Sequence, residues 1–361
     1  MTEELKEVVQ GFSFEGEPES IQPLGIGNIN ASYTVKCSGG KNYTLQQLNT
    51  EIFTMPDKVM ENIVRVTDHL KEKILAEKGN PERETLNFIP AKSGGYMYRY
   101  GDKNVYRAYR YIDDVTTVQS SENTDIAYKV AYSFGVFQRR LSDFDARALH
   151  ETIPDFHNTP ARLKVFEDIV KKDPCNRAKE VEDLIAFAEK EAYLADQITG
   201  ALRDGSIPVR VTHNDTKINN ILFDNKSGEG ICVIDLDTVM PGSALYDFGD
   251  MVRSGANATE EDDTDLSRVK LDMNYYEAFV NGFMDGVGNG LTKQELAGLA
   301  MSAKVLTYEL CLRFLGDYIN GDVYFKIRRP KHNLERAANQ FKLLEDMENK
   351  YEQMVMLSSQ G

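Results

Sequence analysis

Through residue 112, apolar and polar positions mostly alternate in short runs; beyond it, apolar positions recur every three or four residues over long stretches. The first pattern predicts strands and the second helices. Ile21 to Lys36 reads as a strand, a glycine-containing loop and a second strand, and Lys41 to Leu48 as a third. Leu86 to Ile89, Gly95 to Tyr100 and Val105 to Ile112 read as the strands that finish a five-stranded antiparallel sheet. Two helices interrupt them, residues 3–12 with Leu5, Val8, Val9 and Phe12 on one face, and Pro56 to Lys73 with Val59, Ile63, Val66 and Leu70. The later helices are expected at 126–141, 160–171, 177–203, 269–282, 293–317 and 331–351, with loops at 144–160 and 254–268. Residues 209–234 break the helical run: Ile221 to Phe223 and Ile231 to Ile234 are apolar runs flanking a turn cluster, a hairpin pattern. The expected fold class is therefore α+β, with a sheet-rich lobe over 1–111 and a mainly helical lobe over 112–361.

Composition narrows the partners. A net charge of −15 and a pI near 4.9 argue against nucleic acid, whose phosphates demand a basic surface. Cys37, Cys175, Cys232 and Cys311 have no paired spacing and read as free, mostly buried thiols of a reducing compartment. The first residues are acidic and amphipathic, unlike a signal peptide, and no apolar run approaches the ~20 residues of a membrane helix. The expectation is a cytoplasmic protein, a monomer or weak homodimer, with neither membrane nor nucleic acid as partner.

The chemistry concentrates between Val209 and Gly242. An irregular polar loop carries His213, Asn214, Asp215, Lys217, Asn219 and Asn220, and Asp235 follows the hairpin. The hairpin is expected to return Asp235 towards Asp215 and Asn220, so that three oxygen-bearing side chains suit a divalent cation and a proton acceptor. Singly, Asp and Asn in such a loop are turn formers. Together they match what phosphoryl transfer requires, a carboxylate near the attacking hydroxyl and an Asn plus an Asp on the metal. Protein kinases space these groups as His-Arg-Asp-Leu-Lys-x-x-Asn. The stretch His213-Asn-Asp-Thr-Lys-Ile-Asn-Asn220 keeps that spacing, with Asn214 in place of Arg.

This wording, with Val233-Ile-Asp-Leu-Asp-Thr-Val-Met-Pro-Gly242 and Tyr246-Asp-Phe-Gly-Asp250, resembles the aminoglycoside phosphotransferase and choline kinase family, and within it the N-acetylhexosamine 1-kinases. The resemblance implies a bilobal protein-kinase-like fold, with ATP and Mg²⁺ as cofactors. It implies transfer of the γ-phosphoryl group to a hydroxyl of a small metabolite, foremost the anomeric hydroxyl of an N-acetylhexosamine. Asp215 would be the base, Lys217 would neutralise the γ-phosphate, and Asn220 and Asp235 would hold Mg²⁺. Gly25, Gly27 and Asn28 would cover the phosphates, and Tyr111 and Ile112 would lie at the adenine hinge. Arg313 and Tyr324 would line the sugar pocket, while His213 and Asp247 would brace the catalytic loop. Asp237 would stand behind the site or be a surface turn residue.

Two departures qualify the resemblance. Asn30 stands where Gly-x-Gly-x-x-Gly has its third glycine, and the strand lysine that kinases pair with a helix Glu is replaced by Gln46 or Gln47. Gln46 is expected to donate a hydrogen bond, Lys217 to supply the missing charge, and Glu61 to be a solvated surface residue. Glu309 and Arg313 lie one turn apart on a helix, and a simple i,i+4 salt bridge is the plain alternative to a substrate contact. His150 and His157 are too isolated to assign as ligands. The rival readings are a kinase of choline, an amino alcohol or an aminoglycoside, which would want a carboxylate-lined pocket, and a catalytically idle nucleotide-binding scaffold.

Overall fold

The computed structural model describes residues 2–25, 29–120 and 123–359, so Gly27 and Asn28 lie outside the described residues. The chain forms two compact units. The first contains Met1–Thr117, Asp143–Ile153 and Ile221–Met240; the second contains Val118–Ser142, Pro154–Asn220 and Pro241–Gly361.

The first unit is built on a five-stranded antiparallel sheet of Pro18–Pro23 (β1), Ala31–Cys37 (β2), Asn42–Leu48 (β3), Met97–Tyr100 (β4) and Asn104–Arg110 (β5), in the order β1-β2-β3-β5-β4. The helix Glu3–Gln10 (α1) buries Val8 and Val9, followed by Phe12, against Val35, Leu45, Tyr106 and Ala108. The second helix, Pro56–Ala76 (α2), starts on a proline, whose missing N–H costs nothing at that position, and buries Val59, Ile63, Val66 and Leu70. One expected strand is absent: Leu86 to Ile89 makes only an isolated bridge, Phe88 to Tyr109. The short helix Pro81–Glu84 (α3) precedes it, and Asn87 Nδ2 donates to the carbonyls of Pro81 (2.8 Å) and Thr85 (2.9 Å). Pro90 has no N–H with which to extend the pairing. A second, three-stranded sheet joins Val115–Thr116 (β6) to the hairpin Ile221–Asp224 (β8) and Gly230–Val233 (β9), with β7 (Arg210–Thr212) belonging to the second unit. The sequence placed that hairpin correctly.

The second unit is mainly helical: Thr124–Arg140 (α4), Thr159–Lys172 (α5), Glu182–Lys190 (α6), Gln197–Asp204 (α7), Ala244–Gly255 (α8), Met273–Val287 (α9), Lys293–Ile319 (α10), His332–Asn349 (α11) and Tyr351–Ser358 (α12). The axis of the unit is α10, buried on nearly every side from Leu299 to Ile319 and opened by a capping box in which Thr292 and Glu295 satisfy each other's backbone N–H. Close approach of α4 and α9 depends on glycine. A Cβ added at Gly282 would stand 2.2 Å from the Tyr128 carbonyl oxygen, and one at Gly286 would stand 2.3 Å from that of Tyr132. The helix expected over 177–203 is broken into α6 and α7 by a 3-10 turn at Ala192–Leu194, which seats Leu194 and Ala195 in the core. Apolar periodicity runs across the break and hides it. Cys37, Cys232 and Cys311 are buried, Cys175 is exposed, and none of the four forms a disulfide. Among the described residues no helix is long and apolar enough to cross a membrane.

Candidate active site

The loop after β7 is organised by backbone conformation and one buried carboxylate. Asn214 takes a left-handed φ of 67°, which Asn tolerates better than most residues and which turns the chain sharply before Asp215. Asp247, in the first turn of α8, accepts from the backbone N–H of His213 (3.0 Å) and Asn214 (2.8 Å) and from Gln138 Nε2 (2.7 Å). Burial pushes its carboxyl above the usual range, against the opposing pull of His213 and these donors. His213 is fully buried, edge-on to Phe134 and Phe137, and its Nδ1 accepts the Asp215 N–H at 3.3 Å.

Asp215, Lys217 and Asn220 are thereby brought together. Asn220 Nδ2 donates to the Asp215 carbonyl (2.8 Å) and to its Oδ2 (3.1 Å), while Lys217 Nζ lies 2.7 Å from Oδ1. Burial alone would lower the lysine, but the Asp215 carboxylate outweighs it and holds the ammonium above its ordinary value. Lys217 also lines a polar cavity of about 480 Å³ with Asn219, Arg253, Asn257, Glu261 and Asp263. Two of its carboxylates are already committed, Glu261 to Arg253 (2.9 Å) and Arg336 (2.7 Å) and Asp263 to Arg268 (3.2 Å), and Glu260 lines it as well.

In the first unit, Asp235 follows the β8–β9 hairpin with left-handed φ 60° and ψ 55°, conformational strain that the surrounding structure must hold. Gln46, one of the two glutamines expected in place of the strand lysine, has Arg107 as its neighbour in register on β5. Gln46 Oε1 accepts from Arg107 Nε (3.0 Å) and Nη2 (2.8 Å), and its Nε2 donates to Ser32 Oγ (3.0 Å). Arg107 Nη1 pairs with Asp237 Oδ1, and both side chains are buried. Asp237 is therefore not a surface turn residue. Burial opposes the Arg107 charge, but Asp237 keeps the guanidinium above its usual value. Gly25 has φ 65°, with open space where a Cβ would be. Ile112 is buried and the Tyr111 N–H donates to the Asn42 carbonyl at 3.0 Å, just past the end of β5. Glu61 is part-exposed as expected, although it pairs with Arg65 and with His150 (2.7 Å).

Arg313 and Tyr324 meet in the second unit, the guanidinium carbon 5.7 Å from the Tyr324 ring centroid and 5.3 Å from that of Phe325. With Arg162, Phe166, Ile169 and Leu312 they line a cavity of about 260 Å³. The i,i+4 pairing of Glu309 with Arg313 does not form. Glu309 instead accepts from Thr159 Oγ1 (2.9 Å) and faces His157 Nδ1 (3.0 Å), because the loop before α5 packs directly on α10. Asn158 caps α5, its side chain accepting the Ala161 N–H. Sequence reasoning missed Arg107, Gln138 and His157. For Arg107 a signal existed, an arginine within an otherwise apolar central strand beside the missing lysine.

Among the described residues no group of three or more His, Cys, Asp or Glu is arranged to hold a metal. The donor chemistry nonetheless suits a hard cation. Asn220 commits the nitrogen end of its amide to Asp215, which leaves the oxygen as the ligating end, and Asp235 is a carboxylate.

The sequence matches the phosphotransferase enzyme family over residues 20–282. Similar solved structures include an aminoglycoside phosphotransferase from Alicyclobacillus acidocaldarius (13% identity, 96% of each chain covered, TM-score 0.64). A spectinomycin phosphotransferase solved with ADP and spectinomycin shares 14% identity over 98% of this chain and 99% of that one, with TM-score 0.59. An amicoumacin kinase solved with AMP-PNP and Ca²⁺ shares 12% identity over 97% of this chain and 94% of that one, with TM-score 0.56.

Proposed function

The chain belongs to the phosphotransferase enzyme family, and from that premise we propose that it transfers the γ-phosphoryl group of ATP to the anomeric hydroxyl of an N-acetylhexosamine, GlcNAc or GalNAc. In this reading the sugar oxygen forms a bond to the γ-phosphorus, the bond from that phosphorus to the bridging oxygen breaks, and ADP leaves with a sugar 1-phosphate. The hydroxyl proton passes to Asp215, and Lys217 is shared between that carboxylate and the transferring group. The observation that carries the reading is the cluster of Asp215, Lys217 and Asn220, held at hydrogen-bond distance on a loop braced by Asp247. Asn220 and Asp235 would hold a divalent cation, which when bound neutralises charge on the phosphates. Similar folds solved with ADP, and with AMP-PNP and Ca²⁺, support the nucleotide and the cation. Gly25, with Gly27 and Asn28, is assigned to phosphate cover, and Tyr111 and Ile112 to the adenine.

Arg313 and Tyr324 are assigned to the sugar. An aromatic ring suits a sugar face, and a guanidinium suits hydroxyl and amide-carbonyl oxygens. A cationic acceptor is the second reading, prompted by Glu261 and Asp263 in the cavity beside Lys217. The arginine partners of Glu261 and Asp263, and the two guanidinium groups of Arg162 and Arg313 in the other cavity, weigh against it.

The test is Mg²⁺-dependent ADP release across N-acetylglucosamine, N-acetylgalactosamine, glucose, galactose, choline, homoserine and kanamycin, with Asp215→Asn as blank. Turnover on the acetamido sugars that disappears in the blank supports the proposal. Turnover confined to cationic acceptors transfers it to the second reading, and silence on every acceptor overturns both.

A further inference from the structure

The buried cluster around Asp237 has no part in the chemistry above, and it ties together three segments of the first unit. Asp237 is 2% exposed, and both of its carboxylate oxygens are taken, Oδ1 by Arg107 and Oδ2 by Asn30 Nδ2 at 2.6 Å. Asn30 is fixed at its other end as well, because its Oδ1 accepts the Asn49 backbone N–H at 2.9 Å, just past the end of β3. Asn30 is the residue that stands in place of the third glycine of the loop beginning at Gly25.

Asp237 sits in the 3-10 turn Leu236–Thr238, directly after the left-handed Asp235. From α2, Asn62 Nδ2 holds the far side of this turn through the Val239 carbonyl, at 3.0 Å. A non-glycine residue in this backbone region stays there only when its surroundings over-determine it. The clamped Asp237 lies two positions beyond Asp235, which opens the same turn.

The charge arrangement explains the glutamine on β3. Gln46 turns its oxygen to Arg107 and its nitrogen to Ser32, so it serves as the acceptor for an arginine on the adjacent strand. Burying an isolated cation is costly, whereas a paired and fully hydrogen-bonded one can be kept for the geometry it imposes.

We propose that Arg107 and Asp237, with Asn30, form a positioning cluster which, through the turn at Leu236–Thr238, sets Asp235 for a metal-bound nucleotide, Arg107 replacing the strand lysine as the buried cation. The proposal rests on the assignment of ATP and a divalent cation made above. Arg107 and Asp237 are positioning residues and do not themselves touch the acceptor.

The experiment is calorimetric titration of ATP, with and without Mg²⁺, into the wild type, Asn30→Ala, Asp237→Asn and the double variant Arg107→Met/Asp237→Leu, each checked for cooperative thermal unfolding. The double variant removes both charges at once and so avoids stranding one buried ion. The folded variants are expected to lose about tenfold or more of the Mg²⁺-dependent gain in ATP affinity, as when support behind a metal ligand is removed. In turnover assays the acceptor KM should stay within about twofold of wild type, since these residues act on the nucleotide side. A folded Asp237→Asn or double variant with the wild-type metal dependence overturns the proposal. A wild type that binds ATP with Mg²⁺ but phosphorylates no acceptor sinks the sugar-kinase reading alone, and the binding comparison still decides this one. A wild type without metal-dependent ATP binding overturns both.

Discussion

Lys217 Nζ lies 2.7 Å from Asp215 Oδ1, so the candidate base has a cation from its own loop beside it. If Lys217 shares its charge with the transferring phosphoryl group, Lys217→Ala should lower kcat by about 100-fold, the scale of removing one donor that stabilises developing charge. Its side chain is 51% exposed, so the unfolding temperature should barely change. Gln46→Ala should do the reverse, costing less turnover but about 1–3 kcal/mol of stability, because Arg107 would lose the acceptor of two buried N–H groups. Steady-state kinetics beside thermal unfolding check this. Equal losses of kcat would remove the assignment of Lys217.

Arg313→Ala should raise the acceptor KM about tenfold or more and leave the KM for ATP unchanged, the pattern of lost ground-state binding. Arg313→Lys should not restore it, because a compact ammonium lacks the planar face that packs over Tyr324 and Phe325. An unaltered acceptor KM in Arg313→Ala would take this pocket out of acceptor binding.

Two buried carboxylates of the second unit, Asp250 and Glu309, and the part-exposed Glu261 predict acid sensitivity. Burial would raise Asp250, Glu261 and Glu309, but Arg253 outweighs it for Asp250, Arg253 with Arg336 for Glu261, and His157 with Arg313 for Glu309, so all three are held below their ordinary values of 3.8 and 4.5. A folded-state value below the unfolded one contributes stability that is present above the unfolded value and lost as pH falls through the folded one. Stability in urea should therefore decline as pH drops below about 4.5. Glu261→Gln should be destabilised at pH 7, and its gap to wild type should narrow towards pH 3. A constant gap would show that the charge of Glu261 contributes nothing.

Gly282→Ala should destabilise by about 1–3 kcal/mol, because its Cβ would meet the rigid Tyr128 backbone at 2.2 Å and force α4 and α9 apart. Gly316→Ala is the control. The nearest atoms to its Cβ would be 3.5 Å away, on Phe166, and alanine is the better helix former, so it should be neutral or stabilising. Thermal unfolding of the two variants checks the contrast, and a tolerated Gly282→Ala would mean that the helices can slide.

The catalytic loop was legible because its contacts are local. Asp215 and Asn220 are five positions apart, and one loop suffices to bring amide and carboxylate together. The β8–β9 hairpin was legible for the same reason, since a turn cluster between two apolar runs closes on itself. Periodicity also located the buried face of α2, which depends on which side of a helix is apolar and not on what it meets. It failed at Ala192–Leu194, where a helical pattern continues through a break made by packing, and at Leu86 to Ile89, where side-chain bonds and Pro90 displaced strand pairing.

By itself, then, the sequence determined most of the element types, the grouping of Asp215, Lys217 and Asn220 on one loop and the absence of a lysine from β3, because these are properties of near neighbours in the chain. The tertiary structure decided which charge meets which. Arg107 pairs with Asp237 from 130 positions away, and Glu309 takes His157 from 152 positions away in preference to Arg313 one turn along its own helix. Burial is the physical reason: once a charge is desolvated, the partner that fits the packed geometry wins over the one closest in the chain.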